Sequence, residues 1–223
     1  MKLTLIEKKQ ETKDAFTFIF KPDEVISWFA GQYLIYSLAH ENSDTRGKMR
    51  FFTISSSPFE RNPSITTRID PANGSSFKRK LLSLNKGDII DAKGPDGDFI
   101  IEDYSKDYCF IAGGIGVTPF GSILKQLEFD KKDLNIEFLY SNSDKEFIFK
   151  EELDKLELKN LKIKYFKGQG IGEKQIKAVK DFKNRIFYIS GPDPMVETLE
   201  KLLIFIGIDK ENIKSDYFSG YLV

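Results

Sequence analysis

The sequence predicts two domains, an antiparallel β-barrel followed by an α/β domain with a five-stranded parallel sheet. Residues 1–102 consist largely of short apolar segments separated by turn residues, a pattern typical of an antiparallel barrel. Residues 107–223 alternate strand and helix patterns, which is typical of a parallel sheet with helices on its faces. The polar segment EDYSKD, residues 102–107, lies between them and suits a linker.

Composition narrows the classes of function. The chain has 223 residues, 40% hydrophobic and 30% charged, which is ordinary for globular domains. Its 34 basic residues balance its 34 acidic residues, which argues against a nucleic-acid partner because phosphates call for a basic surplus. Cys109 and His40 are the only cysteine and histidine, too few for a disulfide, an iron–sulfur cluster or a zinc site. We therefore expect no metal, and any redox chemistry needs an organic cofactor.

The sequence also bears on location. The first residues, MKLTLIEKK, contain no apolar run of the length found in signal peptides. The longest uncharged segment, residues 108–124, is interrupted by glycines and a proline and is shorter than the roughly 20 apolar residues that span a membrane. We expect a cytoplasmic protein without a membrane span.

The first half contains five predicted strands and one predicted helix. The strands are rich in aromatic and β-branched residues. They are AFTFIFK, GQYLIYSLA, RFFTISS, SITTRID and DIIDAKG. In SSFKRKLLSL, residues 75–84, apolar side chains instead recur at helical spacing behind two serines, so Ser75 or Ser76 is the predicted N-cap of a helix.

The second half contains five further predicted strands and two predicted helices. The strands are YCFIA, NIEFLYS, LKIKYF, RIFYIS and NIKSDYF. The apolar face of one helix is formed by Phe120, Ile123, Leu124 and Leu127, and that of the other by Met195, Leu199 and Leu202.

Glycines between the first of these strands and the first helix suggest a phosphate-binding turn. CFIAGGIGVTPF, residues 109–120, lacks the Gly-Lys-Ser/Thr of a P-loop, and Pro119 replaces the third glycine of a Rossmann fingerprint. Thr118 is the predicted cap of the helix, with Pro119 in its first position. Free N–H groups at such a helix start suit a pyrophosphate. Glycine-rich turns also occur without ligands, so the turn alone leaves both interpretations open.

Five motifs together resemble the ferredoxin–NADP reductase family of flavoproteins in order and spacing. They are RFFTISSSP (50–58), GPDGDF (94–99), AGGIGVTP (112–119), SGPDPMV (190–196) and DYFSGY (216–221). The resemblance covers nearly the whole chain. It implies that residues 1–102 form an FAD-binding barrel and residues 107–223 an NAD(P)-binding domain, with NAD(P)H as co-substrate.

The resemblance assigns roles to residues of the barrel. Arg50 would pair with the flavin pyrophosphate, Phe52 would pack against the isoalloxazine ring, and the Thr53 hydroxyl would lie near flavin N5. Phe52 replaces the family's tyrosine, so a hydrogen bond to the ribityl chain is lost. The remaining expected flavin-binding residues are Phe51, Thr66, Thr67, Arg68, Gly74, Ser75, Ser76 and Phe77.

The resemblance likewise assigns roles in the second domain. Ser190 stands where the family has a cysteine beside the nicotinamide, and with Thr53 it is an expected catalytic residue. Phe218 or Tyr221 would cover the flavin face, whereas Tyr217 is expected to close the last strand onto the core. Ser141 and Lys145 are candidates for contact with a 2′-phosphate. The other expected nucleotide-binding residues are Gly113, Gly114, Gly116, Thr118, Gly191 and Pro192.

The function implied is that of a monomeric FAD-dependent NAD(P)H oxidoreductase that passes electrons to a small redox protein, ferredoxin or flavodoxin. A second interpretation is an electron-transfer subunit of a larger redox complex, such as a multicomponent oxygenase. A third is a nucleotide-binding interaction module without turnover. The preference for NADH or NADPH stays open.

Overall fold

The computed structural model of the chain describes residues 1–41, 43–45, 47–143 and 146–218. The chain divides into two compact units. The first unit comprises Met1–Ile100 and Gly121–Gln126, and the second comprises Ile101–Phe120 and the chain from Leu127 onward. Within the described ranges, no helix combines the length and apolar character needed to cross a bilayer.

The first unit is built on a six-stranded sheet in which every pair is antiparallel. Its strands are β1 (Lys2–Gln10), β2 (Ala15–Pro22), β3 (Tyr33–Ser37), β4 (Met49–Thr53), β5 (Ser64–Arg68) and β6 (Ile89–Asp96), in the order β4-β3-β6-β1-β2-β5. A backbone hydrogen bond from Ser55 to Ser64 (3.0 Å) links the chain after β4 to the start of β5, so the barrel is nearly closed. The predicted barrel is confirmed, and β1 is an addition to the five predicted strands.

Alternating apolar side chains fill the barrel. Phe18 and Phe20 on β2, and Leu34 and Tyr36 on β3, point inward because successive strand residues face opposite sides. Helix α1 (Ser76–Leu82) covers this core with Phe77 and Leu81. The predicted helix is thereby confirmed, and the cap is Ser75, whose hydroxyl accepts a hydrogen bond from the Lys78 N–H at 3.3 Å.

The second unit is built on a five-stranded sheet in which every pair is parallel, as predicted. Its strands are β7 (Tyr108–Gly113), β8 (Ile136–Asn142), β9 (Leu161–Lys167), β10 (Ile186–Gly191) and β11 (Ile213–Tyr217), in the order β11-β10-β7-β8-β9. Its helices are α3 (Lys150–Asp154), α4 (Glu173–Lys177) and α5 (Asp193–Phe205), together with both ends of α2 (Val117–Phe129), whose residues Gly121–Gln126 are counted in the first unit. Helices α3 and α4, of five residues each, were not predicted.

The strand order places a topological switch point between β7 and β10. From β7 the chain builds β8 and β9 on one side and then returns to build β10 and β11 on the other. In open α/β sheets, ligands bind beyond the carboxyl ends of the strands at such a point. The segments that leave these two ends, residues 113–116 and 190–192, belong to two of the five motifs described in the sequence analysis.

The opposite edge of this sheet is fixed by a buried arginine. Arg185, just before β10, donates hydrogen bonds to the carbonyls of Tyr108 (2.8 Å) and Asn135 (3.1 Å), where β7 and β8 begin. It therefore ties the amino ends of the strands together, away from the switch point.

Candidate functional site

Arg50 of β4 is held in place by several contacts of the first unit. Its side chain is 14% exposed and lies with its guanidinium carbon 5.4 Å from the ring centroid of Phe77. The guanidinium donates hydrogen bonds to the carbonyls of Gly47 (3.0 Å) and Met49 (2.7 Å). Strand β4 and helix α1 thus fix the position of the cation that the resemblance assigns to the flavin pyrophosphate.

One carboxylate joins Arg50 to the start of α1. The Arg50 guanidinium donates to Asp44 Oδ1 at 3.1 Å, and the Ser76 N–H donates to Asp44 Oδ2 at 3.0 Å. The Asp44 N–H in turn donates to the Ser76 hydroxyl oxygen at 2.9 Å. Two donors expected to serve the flavin phosphates therefore converge on one anionic group with two oxygens. This donor set fits a phosphate, which offers the same charge and oxygen acceptors.

A pocket of about 500 Å³ opens beside Ser76. It is lined by Ala39, His40, Glu41, Ser76, Arg79 and Lys80. The His40 Nε2 atom lies 2.9 Å from the Ser76 hydroxyl, and the Nδ1 atom lies 2.8 Å from the Leu38 carbonyl. Asp44 and His40 both contact Ser76, and the sequence analysis assigned neither of them to this site, since no local motif marks either one.

Other predicted residues at the start of α1 serve the structure of the turn. A Cβ atom at Gly74 would collide with the Asp70 carbonyl, and the Gly74 N–H donates to that carbonyl at 2.9 Å. The Gly74 carbonyl accepts a hydrogen bond from Arg79. Ser75 is the helix cap and Phe77 is buried in the core. The structure therefore brings Phe77 against Arg50 and gives each of the three residues a structural role.

The three residues after Arg50 differ in exposure. Phe51 is 65% exposed, with its ring 5.5 Å from that of Tyr33. Phe52 is 9% exposed and packs within the barrel core, 5.8 Å from Phe77 between ring centroids. Thr53 ends β4 and is buried. Contact of Phe52 and Thr53 with the flavin ring stays a prediction.

On β5, the predicted flavin contacts already have partners within the barrel. The Thr66 hydroxyl lies 2.8 Å from the hydroxyls of both Thr17 and Ser55, in a buried row of hydroxyl groups. Arg68 donates to both oxygens of Asp14, at 2.8 and 2.7 Å. Thr67 is buried. Any flavin contact from this strand would therefore have to come in addition to these interactions.

In the second unit, the glycine turn is a 3₁₀ turn (Gly114–Gly116) that runs directly into α2. The predicted cap at Thr118 is wrong, because α2 begins at Val117 and the buried Thr118 hydroxyl donates to the Ile115 carbonyl at 3.1 Å. Pro119 is then the third helical residue. It still lies in the first turn, where a missing N–H costs no intrahelical hydrogen bond.

The three glycines of this turn have different reasons to be glycine. A Cβ atom at Gly113 would collide with the Met195 side chain, and one at Gly116 with the Ser190 carbonyl. Gly114 has φ +53°, and the nearest atom to its would-be Cβ is Asn142 Oδ1 at 3.7 Å. Gly116 is thus required by packing between the two loops of the switch point, whereas Gly113 faces the flexible end of a side chain on helix α5. Gly114 alone of the three combines a left-handed backbone with space for a ligand.

The second loop brings Ser190, Gly191 and Phe218 together. Ser190 is 0% exposed, and its hydroxyl lies 3.4 Å from Asp216 Oδ2 on the neighbouring strand β11. The Phe218 N–H donates to the Gly191 carbonyl at 3.0 Å, which fixes the chain just beyond β11. Pro192 precedes α5 as its cap residue. These predicted residues are therefore neighbours at the carboxyl edge of the sheet.

The remaining predicted residues have other outcomes. Ser141, at the end of β8, donates to the Gln169 carbonyl at 2.7 Å. The expectation for Tyr217 is wrong, since it is 43% exposed and donates to Glu200 of α5 at 2.7 Å instead of packing in the core. Lys145 and Tyr221 lie outside the described residues.

Titration properties of two groups near the sheet follow from their surroundings. Partial desolvation and the hydrogen bond to Glu200 raise the pKa of Tyr217 to about 12. Burial raises the pKa of the Cys109 thiol well above its ordinary value, so this thiol is not a nucleophile at neutral pH. Among the described residues, no three His, Cys, Asp or Glu side chains are grouped as metal ligands would be.

The fold and these two sites define a class of protein that pairs a flavin-type barrel with a nucleotide-binding α/β unit. Two family models match the chain: the oxidoreductase FAD-binding domain over residues 2–101 and the oxidoreductase NAD-binding domain over residues 110–201. The chain belongs to the ferredoxin–NADP reductase-like family of FAD- and NAD-binding oxidoreductases. It therefore combines the FAD-binding and the NAD-binding domain of these oxidoreductases.

Three known proteins illustrate the similarity. Flavohemoprotein A of Dictyostelium discoideum is 26% identical over 95% of this chain and 58% of its own length. The glycine betaine monooxygenase reductase subunit of Chromohalobacter salexigens is 28% identical over 95% of this chain and 62% of its own length. This chain therefore spans less than two thirds of either relative. The structure of ferredoxin–NADP⁺ reductase from Plasmodium falciparum shares the fold, with a TM-score of 0.80 at 16% identity over 97% of this chain and 95% of that one.

Proposed function

We propose that the chain passes electrons from NAD(P)H through bound FAD to a separate one-electron carrier such as ferredoxin or flavodoxin. Residues 1–102 would form the FAD-binding domain and residues 107–223 the NAD(P)-binding domain. The observation that carries the proposal is the convergence of Arg50 and the Ser76 N–H on one anionic group. A flavin dinucleotide needs such an arrangement for its phosphates, and the family supplies the chemical context.

In the first domain, the residues of the chain bind and orient. FAD, when bound, would accept the hydride of NAD(P)H and release its electrons singly. Arg50 and Ser76 would hold the phosphates, and Phe52 would support the flavin ring. The buried Thr53 hydroxyl would offer a hydrogen-bond donor next to that ring. Such a site needs alignment more than acid–base groups, which agrees with the presence of a single histidine.

In the second domain, the two loops of the switch point would position the nucleotide. The turn at Gly114 would receive the pyrophosphate of NAD(P)H on its backbone N–H groups. Ser190, with Asp216 beside it, would border the nicotinamide. An aromatic ring from Phe218 or Tyr221 would cover the flavin until the nicotinamide displaces it. Exclusion of water and correct alignment are the contributions asked of these residues.

A second candidate function is that of a reductase subunit in a multicomponent oxygenase or another redox complex. The similarity to a monooxygenase reductase subunit favours it. The chain itself has one cysteine, so an iron–sulfur centre acting as the next carrier would have cysteine ligands elsewhere. In either case we propose a monomeric chain that acts in the cytoplasm.

The test begins with the purified protein and its visible spectrum. We expect flavin absorbance near that of free FAD and, in anaerobic stopped-flow, bleaching on mixing with NADH or NADPH; the faster donor gives the preference. Ferredoxin, flavodoxin and oxygenase components would then be compared as acceptors, and co-purification would identify a stable partner. A colourless protein that takes up no FAD would overturn the proposal in favour of a nucleotide-binding module without turnover.

A further inference from the structure

We propose that Asp44 competes with the flavin phosphates for Arg50 and Ser76 and thereby sets the affinity of the chain for FAD. The inference deepens the proposed function and rests on it. It concerns a residue that lies outside the five sequence motifs. Its basis is that one carboxylate of the chain engages two of the donors that the phosphates would need.

The contacts of Asp44 resemble those of a bound anion. Oδ1 accepts from the Arg50 guanidinium and Oδ2 from the Ser76 N–H, so both oxygens are used. Its own N–H donates to the Ser76 hydroxyl, which fixes the backbone at the same point. The Arg50 and Asp44 side chains are 14% and 29% exposed, so their attraction is only partly screened by water.

The Ser76 N–H is a single donor, so it cannot serve the Asp44 carboxylate and a phosphate at the same time. A phosphate placed on Arg50 and Ser76 would meet the Asp44 carboxylate at hydrogen-bond distance, and like charges that close repel each other strongly. FAD binding would therefore require Asp44 to give up both contacts. An internal competitor lowers the apparent affinity for FAD, because only the molecules in which the competitor has left the site can bind FAD.

The opposite role is physically possible and gives the opposite result. If Asp44 instead shaped the loop in front of α1 for flavin binding, loss of its charge would weaken FAD affinity. The sign of the change in affinity therefore decides between competition and support.

The experiment uses the Asp44→Asn variant, which keeps the side-chain size and one oxygen acceptor but removes the charge. Flavin-free wild type and variant would be titrated with FAD, with quenching of flavin fluorescence as the readout. We expect the variant to bind FAD about tenfold more tightly, because charge-assisted hydrogen bonds to Arg50 no longer have to be broken. The gain should shrink at high ionic strength.

Asp91→Asn is the matched control. Asp91 lies in the same unit and pairs with a single cation, Lys2, at 3.3 Å on the exposed surface. We expect its FAD affinity to equal that of the wild type. Thermal unfolding of the flavin-free proteins shows whether each variant is folded, and Asp44→Ala provides a second removal of the charge.

The outcomes separate this inference from the proposed function. If the wild type binds FAD and both Asp44 variants bind it equally or more weakly, the competition is wrong while the flavoprotein assignment stands. If neither the wild type nor the variants bind FAD, the proposed function fails and the inference fails with it. Tighter binding by both Asp44 variants, with Asp91→Asn unchanged, supports the inference.

Discussion

The candidate sites of the two units are built from different groups, charged side chains in the first and packed backbone in the second. Arg50, Asp44 and Ser76 are joined by charge-assisted hydrogen bonds. The loops at Gly116 and Ser190 instead approach so closely that no Cβ atom fits between them. Charge changes should therefore alter ligand affinity in the first unit while largely sparing the fold, and added volume should damage the fold of the second.

The largest effect on the free energy of unfolding is expected from Gly116→Ala. The added methyl group would collide with the Ser190 carbonyl, and backbone atoms cannot move aside as a flexible side chain can. We expect the free energy of unfolding to fall by about 3 kcal/mol, the upper end of the cost of overpacking. Denaturant titration followed by circular dichroism measures it.

Gly114→Ala is the matched control in the same turn. Its Cβ would make only an ordinary contact, with Asn142 Oδ1 at 3.7 Å, but φ +53° places the alanine in the left-handed region at a cost of about 1 kcal/mol. A loss as large as that of Gly116→Ala would contradict the assignment of Gly114 as the ligand-facing glycine and Gly116 as the packing glycine.

Local patterns in the sequence predicted much of this architecture. Serines before an apolar helical pattern marked the start of α1, and the change from dense strands to alternating strands and helices marked the two sheet types. The glycine turn and the SGP motif were singled out separately, and the strand order places both at the switch point. These features depend on residues close in sequence, which is why they could be predicted.

Other features depend on contacts between distant residues. Asp44 is 32 residues from Ser76, and no spacing rule connects them. Strand β1 contains a run of charged residues, 7–9. Its pairing with β6 joins residues about 85 positions apart, such as Thr4 and Ile89. The wrong cap at Thr118 arose because a 3₁₀ turn leads into α2 without a break. Tertiary context decides each of these cases.

The charged site of the first unit can be broken with Arg50→Ala. We expect FAD affinity to fall between about tenfold and a hundredfold, the range for loss of a hydrogen-bonded charge. Fluorescence titration measures it, and Lys2→Ala, which removes an exposed cation of the same unit, should leave affinity unchanged. Equal affinity of Arg50→Ala and wild type would show that the phosphates bind elsewhere.

A smaller effect on the free energy of unfolding is expected from replacing two buried tyrosines, one in each unit, by phenylalanine. The Tyr108 hydroxyl donates to the Asp103 carbonyl at 2.6 Å, whereas the Tyr36 hydroxyl has no hydrogen-bond partner among the described residues. We expect Tyr108→Phe to lower the free energy of unfolding by about 1 kcal/mol and Tyr36→Phe to raise it by up to about 1 kcal/mol. Denaturant titration of both variants tests this, and a loss in Tyr36→Phe would reveal a partner for that hydroxyl.

The smallest effect on stability is expected from Ser190→Ala. At 3.4 Å its contact with Asp216 is at the outer limit of a hydrogen bond, so the free energy of unfolding should change by less than about 0.5 kcal/mol. If Ser190 positions the nicotinamide, flavin reduction by NAD(P)H should nevertheless slow by about tenfold in stopped-flow measurements. Ser215→Ala on β11 removes a hydrogen bond to Glu200. It should lower the free energy of unfolding by about 1 kcal/mol and leave the rate of flavin reduction unchanged. Because one variant should change the rate and the other the stability, equal reduction rates in both would remove Ser190 from the site.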